Sequence, residues 1–83
     1  MLRVPIEIFL EGPDDDCVVE GTAATTIDNI KATIHEIKGI PPDQQHLTLF
    51  AADGTGIATD PPGGRTLGSY NIQNYVHVEI ALR

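Results

Sequence analysis

The chain has 83 residues, with twelve Asp or Glu against five Lys or Arg and a formal net charge of −7. A chain this short buries roughly 60% of the surface that it exposes when unfolded, enough for one small core, so residues 1–83 are read as a single domain. Five scattered cations cannot form the basic face that phosphate backbones or anionic lipid require, which excludes nucleic acid and membrane surfaces as expected partners.

The first periodic segment is Val4-Pro5-Ile6-Glu7-Ile8-Phe9-Leu10. Val4, Ile6, Ile8 and Leu10 alternate with Pro5, Glu7 and Phe9, the period of a half-buried strand. Glu11-Gly12-Pro13 with Asp14 to Asp16 reads as a turn, and Cys17-Val18-Val19-Glu20 as the returning strand of a hairpin. The acidic run lacks the spaced oxygen ligands of a calcium loop and is read as a solvated turn.

Residues 26–38 carry the helical signal. Ile27, Ile30, Ile34 and Ile37 recur at steps of three and four and define one apolar face. Four β-branched residues are poor helix formers, so burial of that face must hold the helix. Thr25 or Thr26 is positioned to cap its start, Asp28 suits the first turn, and Gly39 followed by Pro41-Pro42 ends it.

Gln45 to Ala51 forms a third strand with Leu47 and Leu49 on one face. Asp53-Gly54 marks a tight turn, with Ile57 anchoring a short return strand. A breaker-rich loop follows through Gly63-Gly64, and Thr66 to Ile72 reads as a turn with one 3₁₀ segment. Tyr75 to Leu82 is the last strand, with Val76, Val78, Ile80 and Leu82 on one face. Hairpin, helix, strand with a short partner, loop and strand predict an α+β roll in which one helix covers a mixed sheet of four or five strands.

Gly39-Ile40-Pro41-Pro42-Asp43-Gln44-Gln45 matches, residue for residue, the run that follows the helix in the ubiquitin family. Gly64-Arg65-Thr66-Leu67 and Tyr70-Asn71-Ile72-Gln73 resemble the segment before its last strand, and Thr26-Ile27, Asn29, Lys31-Ala32 and Ile34 resemble its helix. The resemblance spans about residues 4 to 83 and implies the β-grasp fold. It also implies a protein modifier or protein-interaction signal of a ubiquitin-type pathway, expected to be monomeric and to work in the cytoplasm or nucleus.

The family's apolar recognition patch maps onto Glu11, Gly12, Leu47, Thr48, His77 and Glu79, so only His77 keeps the patch's usual chemistry at its own place. Carboxylates at an apolar docking centre add a desolvation cost, which predicts weak or absent binding to ordinary ubiquitin-binding helices. Lys31 and Lys38 are the candidate acceptor lysines, while Asp53 or its neighbours and Asn74 stand where the family's two main linkage lysines fall. The loop from Asp53 to Gly64 is longer than its counterpart, either a binding feature or a tolerated insertion. The tail, Leu82 and Arg83, corresponds to the residues just before the terminal Gly-Gly used for conjugation. Two readings follow. One is a modifier whose tail continues past Arg83 and engages activating and conjugating enzymes. The other is a nonconjugated domain that docks on the proteasome or another partner, with cationic partner surfaces favoured by the acidity.

No catalytic constellation is expected. Cys17 alone cannot form an internal disulfide or a cysteine metal site, and suits a reducing compartment. It falls at an apolar strand position and reads as a small core residue. His35, His46 and His77 are spread over a helix and two strands without metal-ligand spacing, His35 being placed on the helix's solvent face. Asp53-Gly54-Thr55-Gly56 is explained as a hairpin turn, and Gly63-Gly64-Arg65-Thr66 lacks the Lys and spacing of a phosphate loop. No cofactor is expected.

Overall fold

The described residues form five strands, the longer of them on alternating apolar and polar residues: β1 (Ile6–Glu11), β2 (Cys17–Gly21), β3 (Gln45–Phe50), β4 (Gly56–Thr59) and β5 (Tyr75–Leu82). The computed structural model describes residues 5–12 and 16–83, so the expectations placed on Val4, Pro13, Asp14 and Asp15 lie outside the described residues. The strands form one sheet in the order β2-β1-β5-β3-β4. Its central pair, β1 and β5, runs parallel, and every other pairing is antiparallel. One α-helix among the described residues, α1 (Ile27–Lys38), packs its apolar face on the sheet, giving the α+β roll that the element order predicted and the β-grasp architecture that the family resemblance implied.

The register decides which face each residue takes. Ile6, Ile8 and Leu10 of β1, Leu47 and Leu49 of β3, and Val76, Val78 and Ile80 of β5 point to the helix and are buried with Ile27, Ile30 and Ile34. Ile40, Leu67 and Ile72 close this core from the connections. Cys17 is half-buried and packs against its edge, opposite Leu10.

Local chemistry sets the helix ends. Thr26 is the N-cap: its hydroxyl accepts the Asn29 N–H at 3.1 Å, and Asn29 Oδ1 accepts the Thr26 N–H at 3.0 Å. The breaker-rich loop completes the cap, because Ile27 N–H donates to the Arg65 carbonyl and Asp28 N–H to the Gly63 carbonyl, both at 2.9 Å. At the other end Gly39 takes φ +71° and its N–H reaches the His35 carbonyl.

Ile37 requires a correction. Read as part of the buried helical face, it is 51% exposed. It belongs to the last turn, and the left-handed Gly39 redirects the chain so that Ile40 fills the core there instead. A second difference is Gln45, the one buried polar residue among those described: its Nε2 donates to the Lys31 and Ile40 carbonyls at 2.9 and 2.8 Å. The two 3₁₀ turns span Pro42–Gln44 and Gly68–Tyr70; only the second was expected.

The loop after β4 is tied down at Asp60. Its N–H donates to the Leu47 carbonyl at 2.7 Å, and its carboxylate binds the Arg83 guanidinium. Arg83 also donates from its backbone N–H to the Gln44 carbonyl at 2.8 Å and from Nε to the Gln45 carbonyl at 3.0 Å. The hydrogen bond from Arg83 holds the Asp60 carboxyl below the ordinary aspartate range. A lowered folded-state pKa contributes stability above the unfolded value and loses it as pH falls through the folded value. Thermal melts below the ordinary aspartate range should therefore fall less steeply for Asp60→Asn than for the unaltered chain. Asn tolerates the positive φ of 47° at this position; identical acid slopes would count against the contribution.

Candidate functional site

The helix covers one side of the sheet and leaves the other facing solvent. Because side chains alternate, every second strand residue lies on that outer face. The register aligns them in rows across the strands. The middle row runs Val18, Phe9, His77, Phe50 over β2, β1, β5 and β3. On one side lies the row Glu20, Glu7, Tyr75, and on the other the row Glu11, Glu79, Thr48.

The middle row is a packed aromatic unit. The His77 ring lies 5.0 Å from Phe9, tilted by 57°, and 6.1 Å from Phe50 in an edge-on arrangement at 84°. His77 Nε2 is 3.2 Å from Glu11 Oε2, with both side chains partly exposed. Phe9 and Phe50 are half-buried and Val18 is 56% exposed, so the row presents apolar surface to solvent.

The residues expected to form the recognition patch divide on burial. Glu11, Thr48, His77 and Glu79 share the outer face and adjoin one another, and Gly12 continues from Glu11 at the end of β1 with φ +72°. Leu47 is a correction: it is 0% exposed, on the core side of β3, because it directly precedes the outward-facing Thr48. Its side chain cannot meet a partner while the fold is intact.

Phe9, Phe50 and Val18 were not anticipated as surface-forming residues. The signal was available, since the alternation that buries Ile8 and Leu10 turns Phe9 outward. Their convergence on His77 depends on strand order and register, which carry no local sequence mark.

The remaining candidates lie elsewhere. Lys31 and Lys38 are half-buried on α1, and the Lys31 carbonyl accepts from Gln45. Leu82 is 60% exposed opposite Gln45 at the end of β5, and Arg83 is held by Asp60, Gln44 and Gln45. His35 is exposed on the helix, and His46 stands on the outer face of β3 opposite Ala81. The Asp53-Gly54 turn forms as expected, with Gly54 at φ +89° and Asp53 Oδ1 accepting the Thr55 N–H at 2.9 Å. That hydrogen bonding with Thr55 lowers the Asp53 pKa. Among the described residues, no group of three or more His, Cys, Asp or Glu is arranged to hold a metal ion, and no helix is long and apolar enough to cross a membrane.

Comparison with known proteins gives the same architecture. A solved structure of similar shape is the solution NMR structure of a ubiquitin-like domain from an Arabidopsis thaliana protein, at a TM-score of 0.78 and 19% identity, covering 95% of this chain and 78% of that one. At that identity the likeness establishes the fold alone. The ubiquitin-like domain family also matches residues 21–81, from the end of β2 through almost all of β5. With that match spanning well over half of its length, the chain belongs to the family of ubiquitin-like domains.

Proposed function

We propose that this ubiquitin-like domain is a noncatalytic protein-interaction module that recognises partner proteins through the outer face of its sheet. The supporting observation is the row Val18, Phe9, His77, Phe50, a contiguous apolar and aromatic surface on a rigid four-strand platform. Buried apolar surface contributes about 25 cal/mol per Å², and aromatic side chains supply much of that area with few rotatable bonds. Glu11, Gly12, Thr48 and Glu79 form the polar border of the surface. Cytoplasmic or nuclear proteins, the proteasome among them, are the class of partner that this reading implies.

Conjugation is the second reading, favoured by the resemblance of Ile80 to Arg83 to the segment preceding a conjugated Gly-Gly. A chain extended by Gly-Gly after Arg83 would then form an ATP-dependent thioester on an activating enzyme. Leu82 and Arg83 would be the residues next to the reacting end, and Lys31 and Lys38 would be candidate acceptors for further modification.

The interaction reading is tested by affinity capture, from purified proteasomes and from whole-cell extract, with the intact chain and with Phe9→Ala/Phe50→Ala. Both rings are on the solvent side of the sheet, so folding should survive. Truncating two central aromatic anchors is expected to lower retention by about tenfold or more. Equal retention by both forms would remove the outer face from the mechanism.

A further inference from the structure

We infer that Asp60 and Arg83 form a latch by which the lengthened loop after β4 holds the end of β5 against the domain, so that the tail is presented to an enzyme only when the latch is open. The consequence for enzymes rests on the second reading, conjugation through the tail; the latch itself does not.

The end of β5 has little else to fasten it. Ala81 and Leu82 are exposed and add no side chain to the core, although their backbones still pair with His46 and Gln45. Arg83 then makes three contacts on two other segments. Its N–H donates to the Gln44 carbonyl at 2.8 Å, its Nε to the Gln45 carbonyl at 3.0 Å, and its Nη2 to Asp60 Oδ1. Gln45 is wholly buried and bonded in turn to the Lys31 carbonyl of α1, which makes this base rigid. The Asp60 contact is the one that ties the tail to the loop. An enzyme that draws a tail into a channel needs its backbone extended away from the domain, whereas all three Arg83 donors point back to it.

Asp60 is placed for this contact by its neighbours. Thr59 ends β4, Pro61 is buried, and the Asp60 N–H donates to the Leu47 carbonyl at 2.7 Å. Its φ is +47°, a left-handed conformation from which a residue before proline is steered away. Such a conformation persists where the surroundings enforce it, and it is common in clamps and switch segments. A short side chain on a fixed backbone also loses little freedom on pairing, the loss that usually cancels an exposed ion pair. The hydrogen bond from Arg83, followed by the charges of Arg83, His46 and Lys31, holds the carboxyl below its ordinary range and keeps it ionised at neutral pH.

The test has two arms, each run on the unaltered protein, Asp60→Asn and Asp60→Gly, since Asn and Gly both tolerate the positive φ. In the 83-residue chain, solvent-exchange NMR follows the Arg83 amide. Exchange is expected to quicken about twofold in Asp60→Asn and about fivefold in Asp60→Gly, the scale of a partly exposed ion pair. The amides of Val76 and Val78 should not change, and the gain should shrink as salt rises. In a chain extended past Arg83 by Gly-Gly, trypsin must take the Arg83 guanidinium into its own pocket, so release of Gly-Gly reads the open latch. Release should accelerate by about the same factors, with cleavage after Lys38 constant. Equal rates in the three proteins overturn the inference, and so does a gain matched after Lys38, which reports opening of the whole domain. The extended chains are then compared for thioester formation on an activating enzyme. A faster reaction with Asp60→Gly supports control of the tail by the latch, and equal reaction despite unequal trypsin rates overturns it. If no form makes the thioester although trypsin distinguishes them, the latch is upheld and the conjugation reading alone falls.

Discussion

Truncation of Leu47 to alanine is expected to cost about 2–5 kcal/mol of stability, the range for deleting a buried leucine side chain in a close-packed core. Leu47 is 0% exposed and lies in the sheet layer beneath α1, next to Leu49 and in register with Ile80. A domain of this size has a total stability of roughly 4–12 kcal/mol, so this one change removes a large fraction of it. Urea unfolding measures the cost, and a loss below about 0.5 kcal/mol would return Leu47 to the surface. The neighbouring Thr48→Ala, on the opposite face, should stay within about 0.5 kcal/mol, because the period of a strand separates adjacent residues completely. The pair thus measures which side of β3 supports the fold and which side is available to a partner.

The second large effect is expected at Gln45. Its side chain is wholly buried and donates from Nε2 to two carbonyl groups, that of Lys31 inside the helix and that of Ile40 just past its end. Gln45→Ala removes both donors and opens a cavity, and should cost about 2–4 kcal/mol. Gln45→Leu keeps most of the volume and removes a buried amide whose Oε1 has no donor among the described residues. It should therefore cost less, about 1–3 kcal/mol, with the remainder coming from the two hydrogen bonds lost at the Lys31 and Ile40 carbonyls. Chemical denaturation of the two variants separates packing from hydrogen bonding. Equal losses would mean that volume contributes nothing at this site.

Much of the architecture was legible because it rests on local chemistry. Ile27, Ile30 and Ile34 mark a helix by spacing alone, and Thr26 and Gly39 mark its ends by what their side chains permit. β1, β3 and β5 followed from alternation, and β4 around Ile57 from the Asp53-Gly54 turn before it. Ile37 was misread because periodicity describes a face and not its extent: it cannot say where the sheet beneath stops and Ile40 takes over. Gln45 was read as a strand residue without a role. Whether a polar side chain is buried depends on finding partners, and one of the two here, the Lys31 carbonyl, lies 14 residues back in the helix.

The recognition surface shows the same division. Placing Leu47 and Thr48 together on one patch conflicted with the strand period, and the structure resolves the conflict by burying Leu47. Phe9, Phe50 and Val18 come from three strands and meet around His77 only because β5 inserts between β1 and β3. The long loop likewise acquired a role only in three dimensions, where Gly63 and Arg65 supply carbonyls to the first N–H groups of α1.

By itself the sequence determined the helix and the five strands, the amphipathic pattern that forces a helix onto one side of a sheet, the acidity, and a resemblance to the ubiquitin family. Each of these follows from the conformational preferences and spacing of residues close together in the chain. The tertiary structure alone decided which residues share a surface. Strand order and register are set by the joint burial of Ile8, Leu10, Leu49, Val76 and Val78, and that same packing brings the outward-facing Phe9, His77 and Phe50 together and sets Glu7, Glu11, Glu20 and Glu79 around them.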